Sequence, residues 1–255
     1  THLILYCCFK RMKRTIIKLQ ETDSTNKYLR GLQEESTADM IVVTADYQTA
    51  GRGQGANGWE SEAGKNLLFS LRIHPAMVSV SEQFLLSMAG GLALHETLQM
   101  YADGFTLKWP NDVYWRDYKV SGTLIETTVA HGGLQSCIFG VGIDVNQRTF
   151  HSDAPNPMSL CTIIGHEIDR ERLLEQVLIA FEKYYGMLCS GDYSTVISLY
   201  HEALYRKNGF YKYRDAEGSF EAEIVKVKPD GHLVLRDRQG MMRSYAFKEV
   251  EFILN

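Results

Sequence analysis

The chain has 255 residues, 45% of them hydrophobic, and carries a formal net charge of −4 at pH 7. This length fits one large domain, alone or with a small appendage, and the mildly acidic balance favours neither nucleic acid nor an anionic membrane as a partner. The five cysteines lack CxxC and zinc-ligand spacing. We therefore expect free thiols in a reducing cytoplasm rather than disulfides or a metal centre.

The chain begins with THLILYCCFKR, an apolar run that is too short to cross a membrane and is followed by no small-residue cleavage site. Two interpretations stay open for it: an extra β-strand, or an extension upstream of an initiator at Met12. We favour an extension over residues 1–11, because the segment MKRTIIKLQ is typical of the start of a strand.

The following segments predict strands and helices that do not alternate regularly. Apolar and β-branched runs predict strands over residues 15–19, 40–47, 66–74, 106–109, 113–115, 119–129 and 134–141. Apolar residues at helical spacing predict helices over residues 25–33, 81–101, 169–188 and 193–206, with Asp23 and Ser24 as candidate caps of the first. This order predicts an α+β fold with a mixed, mostly antiparallel sheet and flanking helices, not a doubly wound parallel sheet.

The character of the chain changes after Asn208 and Gly209, where short alternating runs are separated by Ala-Glu-Gly, Pro-Asp-Gly and Arg-Gln-Gly turns. Several short strands at this spacing predict a small antiparallel barrel. We therefore expect a large domain over residues 1–207 and a small one over residues 208–255.

Residues 51–59, GRGQGANGW, are called the glycine loop below. The segment lacks the GK[ST] ending of a Walker A loop. A flexible connector between strands is the ordinary interpretation of such a pattern. Arg52 nevertheless places a fixed cation between two glycines whose N–H groups can approach an anion, and Trp59 gives the loop an apolar anchor.

Four further stretches combine polar and cationic side chains, and each is ambiguous alone. KWPND (residues 108–112) fits a solvated turn, and KVSG (residues 119–122) fits an exposed lysine at a sheet edge. DSTN (residues 23–26) supplies helix-capping hydroxyls, and GVGIDVN (residues 140–146) indicates a close backbone approach at a strand end. Polar loops on a rigid scaffold are also where binding sites lie.

Together, in this order and spacing, these stretches resemble the biotin protein ligases, also called biotin–[acetyl-CoA-carboxylase] ligases, from Thr15 to the end of the chain. The resemblance implies a core like that of class II aminoacyl-tRNA synthetases with an SH3-like barrel at the C-terminus. It also implies that biotin reacts with MgATP to give biotinyl-5′-AMP. The biotinyl group then passes to a lysine of a biotin carboxyl carrier domain.

By resemblance, three residues are expected to act in catalysis: the cations Lys119 and Arg52 between the reacting anions, and Asp112 beside the acceptor lysine. The implied biotin-binding residues are Ser24, Thr25, Asn26, Gln48, Gly51, Arg52, Gly53, Gln54, Lys119 and Gly122. The implied ATP-binding residues are Arg52, Asn57, Trp59, Asn111, Lys119, Gly142, Asp144 and Asn146. We expect Mg²⁺ to be held mainly by the ATP phosphates, and the sequence identifies no metal ligand.

The chain departs from the family's pattern in the glycine loop and at Asp144. Gln54 stands where a second arginine is common, and Asn57 follows Gly55-Ala56 rather than two glycines. With one cation fewer beside the phosphate, we expect the adenylate to be held less tightly. Asp144 stands where asparagine is usual, and a carboxylate near phosphates is repulsive unless it binds Mg²⁺ or lies outside direct contact. Both alternatives stay open.

Two other functions compete with this one. A lipoate or octanoate ligase or transferase of the same fold shares the glycine loop and the lysine, although KWPND and the polar Ser-Thr-Asn set suit a ureido ring better. A non-catalytic biotin sensor would lose Arg52, Lys119 or the Asn-Asp pair, and all are present. Because only residues 1–23 precede the Ser-Thr-Asn motif, we expect a ligase without a DNA-binding domain. The natural carrier and the oligomeric state stay open.

Overall fold

The computed structural model describes residues 11–33, 37–55, 57–152 and 156–254. The predicted upstream extension lies outside the described residues except for Arg11. Within the described residues no helix is long and apolar enough to cross a membrane.

A seven-stranded sheet forms the centre of the large domain, in the order β1-β2-β3-β7-β6-β5-β4. Its strands are β1 Arg14–Thr22, β2 Met40–Gln48, β3 Leu67–Ile73, β4 Phe105–Lys108, β5 Asp112–Trp115, β6 Tyr118–Ala130 and β7 Gly133–Ile143. Only the β1–β2 pair is parallel among these described strands, and the other pairs are antiparallel. The predicted mixed, mostly antiparallel sheet is confirmed.

Helices cover both faces of this sheet. The helices are α1 Thr25–Gly31, α2 Phe84–Gln99, α3 Leu160–Ile164, α4 Arg170–Cys189 and α5 Tyr193–Glu202. The period of two along β2 divides its side chains between the faces. Val42 joins the main core with α2 and α4, whereas Ile41 and Val43 pack with Leu29 of α1 in a separate apolar cluster. The sequence did not predict α3.

The C-terminal segment forms a five-stranded antiparallel sheet in the order β11-β10-β9-β8-β12. Its strands are β8 Tyr211–Asp215, β9 Gly218–Val227, β10 Leu233–Asp237, β11 Met242–Tyr245 and β12 Glu251–Phe252. No pairing joins β11 to β12 among the described residues, so closure into a barrel stays a prediction.

The two sheets share one apolar core, and backbone hydrogen bonds hold the segment that links α5 to the C-terminal sheet against β4. Leu107 of β4 donates its N–H to the Ala203 carbonyl at 2.7 Å and accepts from the Tyr205 N–H at 2.8 Å. Leu235 and Phe252 of the C-terminal sheet belong to the same buried cluster as α2 and β3. The boundary at residue 207 therefore stays a prediction.

Candidate active site

A cavity of about 200 Å³ opens between the start of α1, the glycine loop, β6, β7 and the β4–β5 turn. It brings together most of the residues that the sequence singled out, although they are far apart along the chain. Those that line it are Ser24, Thr25, Asn26, Gln48, Arg52, Gly53, Gln54, Asn57, Trp59, Asn111, Asp112, Lys119, Gly122 and Gly142. Gly51, Asp144 and Asn146 do not line it.

The start of α1 presents polar side chains that are held by a buried chain of hydrogen bonds. Gln48 Oε1 accepts from the Thr25 N–H at 2.7 Å and from Thr25 Oγ1 at 3.0 Å. Ser70 of β3 donates its hydroxyl to Asn26 Oδ1 at 2.6 Å and lies 2.7 Å from Thr25 Oγ1. Ser24 occupies the N-cap position, but its side chain makes no capping hydrogen bond. The predicted N-cap position of Ser24 is confirmed without a capping bond from its side chain, and Ser24 lines the cavity.

Asn26 is fixed at its other end by a carboxylate. Its Nδ2 donates to Glu126 Oε2 at 3.0 Å, and Arg30 Nη2 donates to Glu126 Oε1 at 2.5 Å. A Cβ at Gly140 would overlap the Asn26 amide, so β7 needs glycine at this position. Sequence reasoning missed Ser70 and Glu126, and it included Gly140 only as the first residue of GVGIDVN. A signal existed for Ser70, because it is a polar residue inside a strand whose seven residues are all buried.

The glycine loop folds back on itself as a tight hairpin. Arg52 and Gly58 form an antiparallel bridge, and Gly53 donates its N–H to the Asn57 carbonyl at 2.7 Å. A Cβ at Gly51 would lie 2.7 Å from the Trp59 carbonyl oxygen, a distance shorter than the van der Waals contact of these two atoms. Gly51 therefore permits the hairpin to close, although it does not line the cavity.

The Trp59 indole lies on the floor of the cavity. A Cβ at Gly122 would be 2.9 Å from its Cζ3, and a Cβ at Gly142 would be 2.7 Å from its Nε1. Two glycines on adjacent strands thus provide the space for the ring. Nε1 is buried and has no hydrogen-bond partner among the described residues, so it remains available to an acceptor atom of a ligand.

Cations outnumber anions on the wall of the cavity. Lys119 Nζ forms an ion pair with Asp112 Oδ1 at 2.7 Å, although the angles are not those of a hydrogen bond. The same Nζ lies 5.8 Å from the centre of the Trp59 ring. Arg52 is exposed and has no ion pair or hydrogen bond to its side chain within the described part of the chain. Asn111 donates its Nδ2 to the Thr123 carbonyl at 2.6 Å, which fixes its orientation.

Lys108 adds a third cation that the sequence had named only as part of KWPND. Its Nζ lies between two rings, 5.1 Å from the centre of Tyr114 and 5.0 Å from that of Phe252. Burial lowers the pKa of Lys108, and the nearby Asp112 carboxylate acts in the opposite direction. The cavity wall thus carries Arg52, Lys108 and Lys119 against one carboxylate, which suits an anionic ligand.

Asp144 and Asn146 are buried just beyond the end of β7 and do not line the cavity. Asn66 Nδ2 donates to Asp144 Oδ1 at 3.2 Å, and burial raises the pKa of Asp144 well above its usual range. Asn146 exchanges two hydrogen bonds of 2.9 Å with the backbone of Ile168. Their predicted contacts with ATP stay predictions, and the structure places the Asp144 carboxylate outside the cavity wall.

The described side chains provide no cage for a divalent metal ion. No group of three His, Cys, Asp or Glu residues that could hold one occurs among them. Among the described residues Asp112 is the single carboxylate on the cavity wall, and it is already paired with Lys119. Because Mg²⁺ needs several oxygen ligands, this donor set does not fit a protein-held Mg²⁺.

Comparison with known proteins identifies the chain. A family model described as the biotin/lipoate A/B protein ligase family matches residues 18–144. A solved structure of biotin protein ligase from Aquifex aeolicus in complex with biotin and ATP matches with a TM-score of 0.77 and 26% identity, over 94% of this chain and 99% of that one. The chain belongs to the biotin/lipoate A/B protein ligase family. The resemblance seen in the sequence is confirmed.

Curated relatives agree with this family. The chain is 27% identical over 241 residues to the bifunctional ligase/repressor BirA of Bacillus spizizenii, which covers 92% of this chain and 73% of that protein. It is 31% identical over 175 residues to the biotin–[acetyl-CoA-carboxylase] ligase of Mycobacterium tuberculosis, covering 66% of this chain and 63% of that one. The segment matched by the biotin/lipoate ligase family model contains the glycine loop, KWPND and KVSG.

Proposed function

We propose that the protein is a biotin protein ligase, which activates biotin with MgATP and attaches it to a lysine of a biotin carboxyl carrier domain. The observation that carries this proposal is the cavity itself, which combines the hydrogen-bonded polar side chains at the start of α1 with the cations Arg52, Lys108 and Lys119. The similar A. aeolicus enzyme was solved with biotin and ATP bound. Biotin has an uncharged polar ring at one end and a carboxylate at the other, and the cavity offers a counterpart to both.

The biotin ring is held at the start of α1. Ser24 faces the cavity without a capping bond, and Thr25 and Asn26 are fixed by Gln48 and Ser70. Oriented hydroxyls and amides of this kind match the carbonyl and N–H groups of a ureido ring. Gly53 and Gln54 of the glycine loop and Gly122 of β6 then surround the carboxylate end, and Gly51 contributes by letting the hairpin close.

The activation step needs two anions to be brought together. A biotin carboxylate oxygen attacks the α-phosphorus of ATP, a new C(O)–O–P bond forms, and the bond to the β-phosphate breaks so that pyrophosphate leaves with the electron pair. Arg52 and Lys119 offset the repulsion between carboxylate and phosphate and stabilise the charge that develops. Mg²⁺ enters with the ATP phosphates as part of the substrate.

The nucleotide is proposed to lie along the glycine loop and the floor of the cavity. Trp59 supplies an aromatic surface over Gly142, and Asn57 and Asn111 lie beside it on the wall. Asp144 and Asn146 follow Gly142 in the chain and are held by buried hydrogen bonds to Asn66 and Ile168. Covering the ligand in this way keeps water from the reactive acyl phosphate.

The transfer step requires a neutral amine. The acceptor lysine attacks the acyl carbon, AMP leaves with the electrons of the C–O bond, and the amine loses a proton to form the amide. Asp112 is the only carboxylate on the described wall of the cavity. We assign it to bind the incoming amine after Lys119 has turned to the phosphate.

The carrier is a domain of a biotin-dependent carboxylase in this proposal, and the reaction takes place in the cytoplasm. Free cysteines support a reducing environment. Cys137 and Cys161 are buried without a disulfide, and burial raises the pKa of the Cys137 thiol, which makes it unreactive.

Exchange of labelled pyrophosphate into ATP tests this function, with biotin, lipoate and octanoate supplied in parallel. The family model covers both biotin and lipoate ligases. The hydrogen-bonded polar side chains at the start of α1 favour biotin over lipoate. We expect exchange with biotin and none above background with the two fatty acids. Exchange with lipoate alone would identify the lipoate activity, and no exchange with any acid would leave a binding protein instead of a ligase.

A further inference from the structure

The tip of the glycine loop touches the C-terminal sheet. Gly55 has a φ of +72°, and a Cβ built on it would overlap the Nζ of Lys248. Lys248 itself has a φ of +70°, a conformation that is costly for a residue with a side chain. It lies in the turn between β11 and β12, where Ala246 donates its N–H to Glu249 Oε2 at 2.6 Å. Two turns with left-handed residues therefore meet at Gly55 and Lys248.

The turn that carries Lys248 borders the cavity through Phe247, while Lys248 itself lies beside the cavity wall. Its neighbour Phe247 lines the cavity and packs edge-on against Trp109 of KWPND, with ring centres 6.5 Å apart. Trp109 Nε1 donates to the Gly231 carbonyl at 2.9 Å, which ties KWPND to the C-terminal sheet. The sheet thus holds the Lys248 turn in a fixed position beside the active site.

The glycine loop carries a single cation, and the turn that carries Lys248 holds a second cation whose ammonium has no ion-pair partner among the described residues. Arg52 is the one cation of the glycine loop, and Gln54 has a buried Oε1 without a partner among the described residues. Within the same part of the chain, Lys248 Nζ has no ion pair or hydrogen bond, and it lies 5.7 Å from the ring centre of its neighbour Phe247. A phosphate group held by the glycine loop would give this neighbouring ammonium a counter-ion.

We propose that Lys248 is a phosphate-contacting residue of the nucleotide site, supplied by the C-terminal sheet because the glycine loop carries Arg52 alone. The inference rests on the proposed function, since the phosphate belongs to ATP and to the adenylate. With the ligand bound, the Lys248 ammonium stands beside Gln54 and retains the adenylate. Lys248 lies outside residues 18–144, the segment that the family model matches.

The test measures how fast biotinyl-5′-AMP leaves the enzyme after a chase with excess unlabelled adenylate. Lys248→Met keeps the length of the side chain and removes its charge. We expect dissociation to become about fivefold faster, the size of a partly exposed charge interaction. The difference should shrink as salt rises to about 0.5 M, because ions screen exposed charges. Lys226→Met is the matched control, because Lys226 is an exposed lysine of β9 in the same C-terminal segment, whereas only Lys248 lies against Gly55.

A double variant separates charge from packing. Gln54→Arg in the Lys248→Met chain places a cation at the adjacent position of the loop, and we expect it to restore the dissociation rate. Equal rates in the wild type and Lys248→Met would overturn the inference. A faster rate that neither salt nor Gln54→Arg changes would also overturn it, because it would assign Lys248 a packing role. A wild-type chain that forms no adenylate would overturn this inference together with the proposed function, whereas the other two results leave that function intact.

Discussion

The substitution Gly142→Ala tests whether the Trp59 indole lies on the cavity floor in the working enzyme. The added Cβ would lie 2.6 Å from Cζ2 and 2.7 Å from Nε1 of the ring, so the rigid indole has to leave its position. Exposing about half of an indole, roughly 80 Å² of apolar surface, costs about 2 kcal/mol at 25 cal/mol per Å², or a factor of about 30 in an equilibrium constant. We expect the affinity for ATP to fall by about that factor.

The assay is the dependence of biotin-driven pyrophosphate exchange on ATP concentration, together with calorimetric titration of ATP. Gly133→Ala is the matched control, because Gly133 lies on the same strand and has no atom within 4 Å of an added Cβ. Thermal unfolding checks that both variants fold. If Gly142→Ala binds ATP within about twofold of the wild type, the contact between Trp59 and the floor has no part in nucleotide binding.

Three further substitutions test separate parts of the site. Burial raises the pKa of Asp144, so the protonated carboxyl contributes to the stability of the folded protein below about pH 4, and this contribution is lost as pH rises through the folded-state pKa. Asp144→Asn should therefore raise the melting temperature of the protein at pH 8 and leave it unchanged near pH 4. An equal change of melting temperature at both pH values would refute the assignment. Ser70→Ala removes the hydroxyl that holds Asn26, so the KM for biotin should rise about tenfold with little change in that for ATP. Gln54→Arg in the otherwise unchanged chain should slow the dissociation of the adenylate, and an unchanged rate would show that the missing arginine has no effect.

The sequence predicts the fold well wherever local periodicity decides the structure. Alternation along β2 divides its side chains between two cores, and helical spacing marks α4, whose Asp169 cap accepts from two backbone N–H groups. The α3 helix has five residues and gives too short a periodic signal to be recognised. Ser24 takes the predicted N-cap position without a side-chain capping bond, and Gln48, which is 23 residues away from Thr25, accepts the Thr25 N–H at 2.7 Å instead.

The candidate site is predictable as a set of motifs but not as a network. DSTN, the glycine loop, KWPND and KVSG all reach one cavity, which local sequence could only suggest through their polar and glycine content. The bonds from Ser70 to Asn26 and from Asn26 to Glu126 span 44 and 100 residues, and no local pattern encodes such partners. The meeting of Gly55 with Lys248 depends on the packing of two sheets for the same reason.

The most direct test of the account is single-turnover formation of biotinyl-5′-AMP from biotin and ATP, compared between the wild type and Lys119→Ala. Lys119 is the cation that the structure pairs with Asp112 on the cavity wall. We expect adenylate from the wild type and a rate about 100- to 1000-fold lower in the variant, the usual effect of removing one transition-state charge contact. A wild type that makes no adenylate, or a variant that makes it at the same rate, would contradict the account.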